Sequence, residues 1–164
     1  MKKNLQNALV LAMGLMTTVT FAQDWNVDSR TRIDMGGDYD RMETSQRATL
    51  GATWGGTNWG IHGSTVVNYD LASPQGAASL AVYEAYASTD LMGYANLTIG
   101  RQALNYGSGM IIGSNEWGAV RNTRDGMTFG LNLDMADVTV LYASRMSGDS
   151  LTNGAAMMGV NASK

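Results

Sequence analysis

The sequence predicts an all-β fold built as an antiparallel up-and-down sheet, and three observations predict it. Segments of about ten residues alternate apolar with small or polar residues, which gives a strand two unlike faces. The connections between these segments alternate long and short. Glycine is abundant, with 20 residues against a single proline, where each interior helical glycine would cost ~1 kcal/mol. Short turns at one end and long loops at the other are the pattern of strands crossing a bacterial outer membrane. The expected fold is therefore a transmembrane β-barrel.

The chain opens with Lys2 and Lys3, an apolar run from Ala8 to Met16, and small or hydroxylated residues up to Ala22. A basic start, a short apolar middle and a small-residue cleavage region are the layout of a secretory signal. The run is about half the ~20 apolar residues that a spanning helix needs. Residues 1–22 are expected to be a signal peptide and residues 23–164 the barrel.

A first strand is expected from about Val27 to Met35, with Val27, Ser29, Thr31 and Ile33 on one face and Asp28, Arg30, Arg32 and Asp34 on the other. The best-defined unit is a hairpin over Ser45–Asn68 with its turn at Gly55-Gly56-Thr57-Asn58. That turn sets Trp54 opposite Trp59, Ala52 opposite Ile61 and Leu50 opposite Gly63, all on one face. Arg47, Thr49, Gly51 and Thr53, with His62, Ser64 and Val66, make the other face.

The next strand, Leu80–Thr89, sets Tyr83, Ala85 and Ala87 against Val82, Glu84, Tyr86 and Ser88. Ala95–Arg101 follows, with Ala95, Leu97 and Ile99 on the apolar side. In the last hairpin, Leu133, Leu131 and Phe129 are expected opposite Val138, Val140 and Tyr142.

This amounts to about seven strands. The long links are Gly36–Thr44, Asp70–Ser79 and Gln102–Thr123, and the short ones Gly55–Asn58, Asp90–Tyr94 and Asp134–Asp137. A soluble β-sandwich would also give strands two unlike faces. The barrel is favoured by the polar face rich in Gly, Thr, Ser and Asn, by Trp54, Trp59 and Tyr94 at the short-turn ends, and by the link lengths. Bacterial barrels have an even strand count, and an eighth strand over Ala155–Ala162 is short and weakly patterned. The chain reads as an incomplete N-terminal segment of a larger barrel. The alternative is a complete eight-stranded barrel filled by its own side chains.

Composition narrows the chemistry. There is no cysteine, so disulfides and thiolate metal sites are excluded. Acidic residues exceed basic ones by 14 to 11 without a basic patch, so nucleic acid is not an expected partner. The twelve methionines read as apolar filler. Gly-x-Ser-x-Gly, P-loop and His-Glu-x-x-His motifs are absent. His62 and Ser64 share a strand face, but a hydrolase would also need an orienting acid and an oxyanion hole, and the sequence identifies neither. Neither enzymatic activity, nor a cofactor, nor a metal site is expected.

The longest link contains Gly100-Arg101-Gln102, Asn105-Tyr106-Gly107, Gly113-Ser114-Asn115-Glu116-Trp117 and Arg121-Asn122-Thr123-Arg124-Asp125-Gly126. With the preceding Glu84-Ala85-Tyr86, this stretch resembles the alginate-export family of outer-membrane barrels and related porin-like proteins, over about residues 80 to 145. The resemblance implies a wide barrel with a polar, charged lumen.

Arg47, His62, Glu84 and Arg145 fall on polar faces. In a wide pore they would line water and sort solutes by charge, and in a narrow barrel they would form a buried ion-pair network. Strict alternation sends Arg101 to the apolar side, at ~2–4 kcal/mol near a bilayer midplane. A bulge at Gly100 would turn it into the lumen; otherwise it is a rim arginine beside a carboxylate. Asn115, Glu116, Arg121, Arg124 and Asp125 are assigned to the long loop, which either folds inward as a constriction or stays solvated outside. The expected function is a porin-like channel for passage or export of small or polyanionic solutes, surrounded by outer-membrane lipid, with association into a homo-oligomer left open by the sequence. The alternative is a closed structural or adhesion barrel acting through its outer loops.

Overall fold

The computed structural model describes residues 22–35, 42–71, 78–118, 120–133, 135–144 and 156–163. The expected signal segment up to residue 21, and Arg145, lie outside them. The described chain forms one antiparallel sheet in which every strand pairs with its sequence neighbours. The strands are β1 (Ala22–Met35), β2 (Met42–Gly55), β3 (Trp59–Asp70), β4 (Ser79–Leu91), β5 (Ala95–Gln102), β6 (Arg124–Leu133), β7 (Ala136–Ser144) and β8 (Ala156–Ser163). β1 and β8 do not pair with each other, so the sheet is open.

Eight strands replace the expected seven. β8 sets Met158, Val160 and Ala162 beside Tyr142, Val140 and Val138 on the apolar side, and Gly159 and Asn161 beside Leu141 and Thr139 on the other. Met157, an apolar residue on the polar side, blurs the alternation, but backbone pairing with β7 is indifferent to side-chain polarity. The connections do alternate. Residues 36–41, 71–78, 103–123 and 145–155 link strands at one end of the sheet, and 56–58, 92–94 and 134–135 at the other.

Both well-patterned hairpins keep their expected faces but slip by two residues. Trp54 pairs with Ile61, Ala52 with Gly63 and Leu50 with Thr65. Leu133 pairs with Ala136, Leu131 with Val138 and Phe129 with Val140. A two-residue slip preserves which side each residue faces, so periodicity alone could not detect it; the turn geometry sets it. In the first turn the Gly56 N–H donates to the Trp59 carbonyl at 2.9 Å. Between β4 and β5, Met92 and Gly93 both take positive φ, 59° and 77°, the signature of a tight type I′ hairpin turn.

Face assignments change at one place in the sheet. The β3–β4 register shifts between Ser64, which pairs with Glu84, and Thr65, which pairs with Val82. Tyr83 is the extra residue of this β-bulge. It was expected on the apolar face with Ala85, but it joins Glu84 on the polar face and is buried. Val82 and Leu80 move in exchange to the apolar face, beside Thr65 and Val67.

The sheet is thus inside-out by the standards of a soluble fold. Arg47, Thr49, Ser64, Tyr83 and Leu141 on the polar side are buried. On the apolar side Leu50 and Ile61 are each 49% exposed, Val140 39% and Val160 71%. No described element covers that face.

Candidate functional site: a charged groove under the long loop

The polar face of β1–β4 is concave to a groove of about 490 Å³. Strand register builds it in rows. Asn26, Gly51, Ser64 and Glu84 lie side by side across four strands, as do Asp24, Thr53, His62 and Tyr86 one row nearer the short turns. Towards the long-loop end, Arg30 pairs with Arg47, and Asp28 with Thr49. Two arginines directly opposite each other on neighbouring strands repel, so this row requires acceptors from elsewhere.

The long link between β5 and β6 supplies them. Gly118 N–H donates to the Asn115 carbonyl at 3.0 Å and Asn122 N–H to the Ser114 carbonyl at 2.7 Å, which closes the loop tip. Asn115 takes a positive φ of 53°, as asparagine tolerates, and its Nδ2 donates to the Val120 carbonyl at 3.0 Å. The tip then lies over the arginine row. Arg30 donates from Nη1 to the Glu116 carbonyl and from Nη2 to the Gly118 carbonyl, both at 2.7 Å. Arg32 donates to the Trp117 carbonyl. Arg47 donates to the Glu116 carbonyl at 3.1 Å.

The Glu116 side chain reaches further in. Its Oε1 accepts from the Tyr83 hydroxyl at 2.9 Å, and its Oε2 lies 3.5 Å from Arg121 and 3.8 Å from Arg47. Arg121 stacks on the Tyr83 ring, with Cζ 3.4 Å from the centroid, and donates to the Thr49 hydroxyl at 2.5 Å. Asp28 stands 3.7 Å from Arg47. The buried Nε atoms of Arg47 and Arg121 have no hydrogen-bond partner among the described residues. Elsewhere in the loop, burial pushes the Tyr106 phenol upward, which keeps it neutral.

Below the arginines, His62 stacks on Tyr86 at 4.9 Å. Its Nδ1 is 2.8 Å from the Thr53 hydroxyl and its Nε2 3.6 Å from the Glu84 carboxylate. Glu84 also accepts from the Ala103 N–H at 3.2 Å, tying the loop's first residue to β4. Ser64 Oγ accepts from the Glu84 backbone N–H at 3.1 Å. The histidine therefore engages Thr53 and Glu84 rather than Ser64.

Of the residues singled out from sequence, Arg47, His62, Glu84, Glu116 and Arg121 converge on this groove. Asn115 shapes the tip. Arg124 and Asp125 stand in β6, not in the loop, because the β5–β6 ladder extends to the Gln102–Arg124 pair. Arg101 does not line the groove. It pairs in register with Ala85 and Asp125, without a bulge at Gly100, and grips Asp125 through two hydrogen bonds of 2.7 and 2.9 Å. Arg30, Arg32 and Tyr83 were not singled out. The run Asp28-x-Arg30-x-Arg32-x-Asp34 on one face carried the signal for the arginines; the bulge that brings in Tyr83 left none.

Comparison with known protein families gives no match, and no curated protein is significantly similar to the chain.

Proposed function

We propose that this protein is an outer-membrane, porin-like channel of the alginate-export type, in which these eight strands form one arc of a barrel wall and the β5–β6 loop narrows the lumen. One observation carries the reading: no described element covers the apolar face, whose charged exception is the paired Arg101 and Asp125 at the long-loop end, while charged side chains line the opposite face over β1–β4. Water-soluble monomers rarely expose a contiguous apolar patch beyond a few hundred Å², and lipid is the solvent that favours such a face. Trp25 and Trp54, edge to face at 6.5 Å, with Trp59 and Tyr94, collect at the short-turn end, where an interfacial aromatic belt would stand. The open edges of β1 and β8 require strand partners in lipid, where each unpaired backbone group costs several kcal/mol. The lumen then admits small or polyanionic solutes past the groove arginines, without a cofactor.

Refolded into lipid vesicles and fused to planar bilayers, the protein should give stepwise ion conductance. A folded, membrane-inserted protein that conducts nothing would reject the channel. That result would favour a second reading, a closed structural or adhesion barrel acting through its outer loops, whose interior side chains fill.

A further inference from the structure

The loop tip is fastened in an unusual way. Trp117 is 82% and Val120 72% exposed, so among the described residues no large apolar side chain of the tip is buried to anchor it. Its attachments are polar, and those from β1 are all of one kind. The guanidiniums of Arg30 and Arg32 each end on backbone carbonyls, of residues 116 and 118 and of residue 117. Arg47, from β2, shares two of the same oxygens, at 3.1 and 3.4 Å. The recorded carboxylate contacts of this arginine group are longer, 3.5 to 3.8 Å, and come from Asp28 and Glu116. A guanidinium bond to a carbonyl is charge-assisted from one side only, whereas a carboxylate or phosphate adds the opposite charge and a bidentate fit. The groove therefore holds arginines in contact with acceptors that an anion would outcompete.

We infer that the tip Ser114–Gly118 is a gate latched by Arg30, Arg32 and Arg47 through the carbonyls of Glu116, Trp117 and Gly118, and that a solute oxyanion opens it by taking over those guanidiniums. This rests on the channel reading. It makes the loop a moving part, and it couples passage to solute charge through competition rather than through a static field. The Nε atoms of Arg47 and Arg121 are buried without a partner among the described residues, so the cover of the tip leaves donors in the groove unsatisfied. Releasing the tip breaks the carbonyl contacts of Arg30 and Arg32 and also the contacts of the Glu116 carboxylate with Tyr83, Arg121 and Arg47, for which a multiply charged anion substitutes at the same guanidiniums.

The chain has no cysteine, so Trp117→Cys gives a single attachment point for a spin label on the exposed side of the tip. Citrate is the probe, with chloride at equal ionic strength as the control for screening. In lipid vesicles, citrate should narrow the label's spectrum and chloride should not. Arg30→Gln with Arg32→Gln should give the narrow spectrum without citrate. In planar bilayers the same double variant should show an open fraction raised about tenfold, the equivalent of ~1.4 kcal/mol and the order of one charge-assisted hydrogen bond, with no further response to citrate. Spectra that ignore citrate, in a protein that conducts, overturn the gate and leave the channel standing. No conductance from any folded form overturns the channel and the gate with it. The wild-type citrate measurement decides the matter even if the double variant fails to fold.

Discussion

The first four strands and the last four share a sheet but not a chemistry. On the polar face of β1–β4 stand Asp28, Arg30, Arg32, Arg47, His62 and Glu84. The corresponding positions of β5–β8 are mostly uncharged, among them Asn96, Thr98, Thr128, Gly130, Thr139, Leu141 and Asn161, with Arg124 at the long-loop end and Asp137 at the short-turn end as the charged exceptions. The tip of the loop that starts from β5 crosses to the charged half, where the opposed arginines need acceptors. Charge on one wall of the sheet thus positions a segment from the other, and the uncharged half serves as a scaffold from which the loop is aimed. The apolar face shows no such division, with large exposed side chains from Trp25 to Val160.

The sharpest way to break this comparison is to ask whether the apolar face really is uniform. Ile61→Lys in the charged half and Val140→Lys in the uncharged half should each destabilise the vesicle-inserted protein by ~2–4 kcal/mol if both positions lie near the midplane. Urea unfolding in vesicles measures it. A large loss at one position and none at the other would show that only half of the sheet faces lipid.

The next effect belongs to the seam between the halves. Gly100 takes a φ of 132°, and a Cβ there would lie 2.2 Å from the Ala85 carbonyl oxygen. Gly100→Ala should cost ~1–3 kcal/mol through strain alone, read as a lower unfolding midpoint, while Gly63→Ala, with nothing within 4 Å of the added carbon, should stay near the wild type. A smaller effect is expected in the loop. Glu116→Gln removes the carboxylate that joins Tyr83, Arg121 and Arg47 but preserves the backbone carbonyls. It should cost ~1 kcal/mol locally and speed protease cleavage of the loop without moving global unfolding. A shift in global unfolding would mean that the loop is part of the core.

The two halves were not equally legible in the sequence. Face assignment was readable wherever a strand alternated cleanly, because period two survives any even slip in register. Leu50, Ile61, Phe129 and Val140 are on the side their pattern predicts for this reason. Pairing partners were not readable, since Trp54 meets Ile61 only because the turn takes its particular geometry. Tyr83 was missed because a bulge is a local insertion that polarity does not announce. β8 is short and weakly patterned in the sequence, with Met157 on its polar side, and backbone pairing with β7 does not need the pattern. In the site, Arg47, His62 and Glu84 could be placed on one face from periodicity. Their meeting with Glu116 and Arg121 depends on where a loop of residues 103–123 lands, and no short-range rule carries that.

The smallest expected effect tests what the uncharged half is for. Thr139 on β7 is half-buried on the polar side, between Gly130 and Asn161, neither of which carries charge. If that wall borders water, Thr139→Lys extends its ammonium into solvent, and the change should stay within about 0.5 kcal/mol, as at an ordinary surface site. Thr49→Lys is the matched change on the other half, and it sets an ammonium where Arg121 now donates to a hydroxyl. Like charges confined there have no added acceptor, and Thr49 is the more deeply buried of the two, so Thr49→Lys should be the more costly of the pair, and the difference between them in vesicle unfolding reports the charge and the burial of the groove together. Equal costs would mean that the uncharged half is as dry as the groove, and the sheet would then enclose a packed interior rather than a water-filled one.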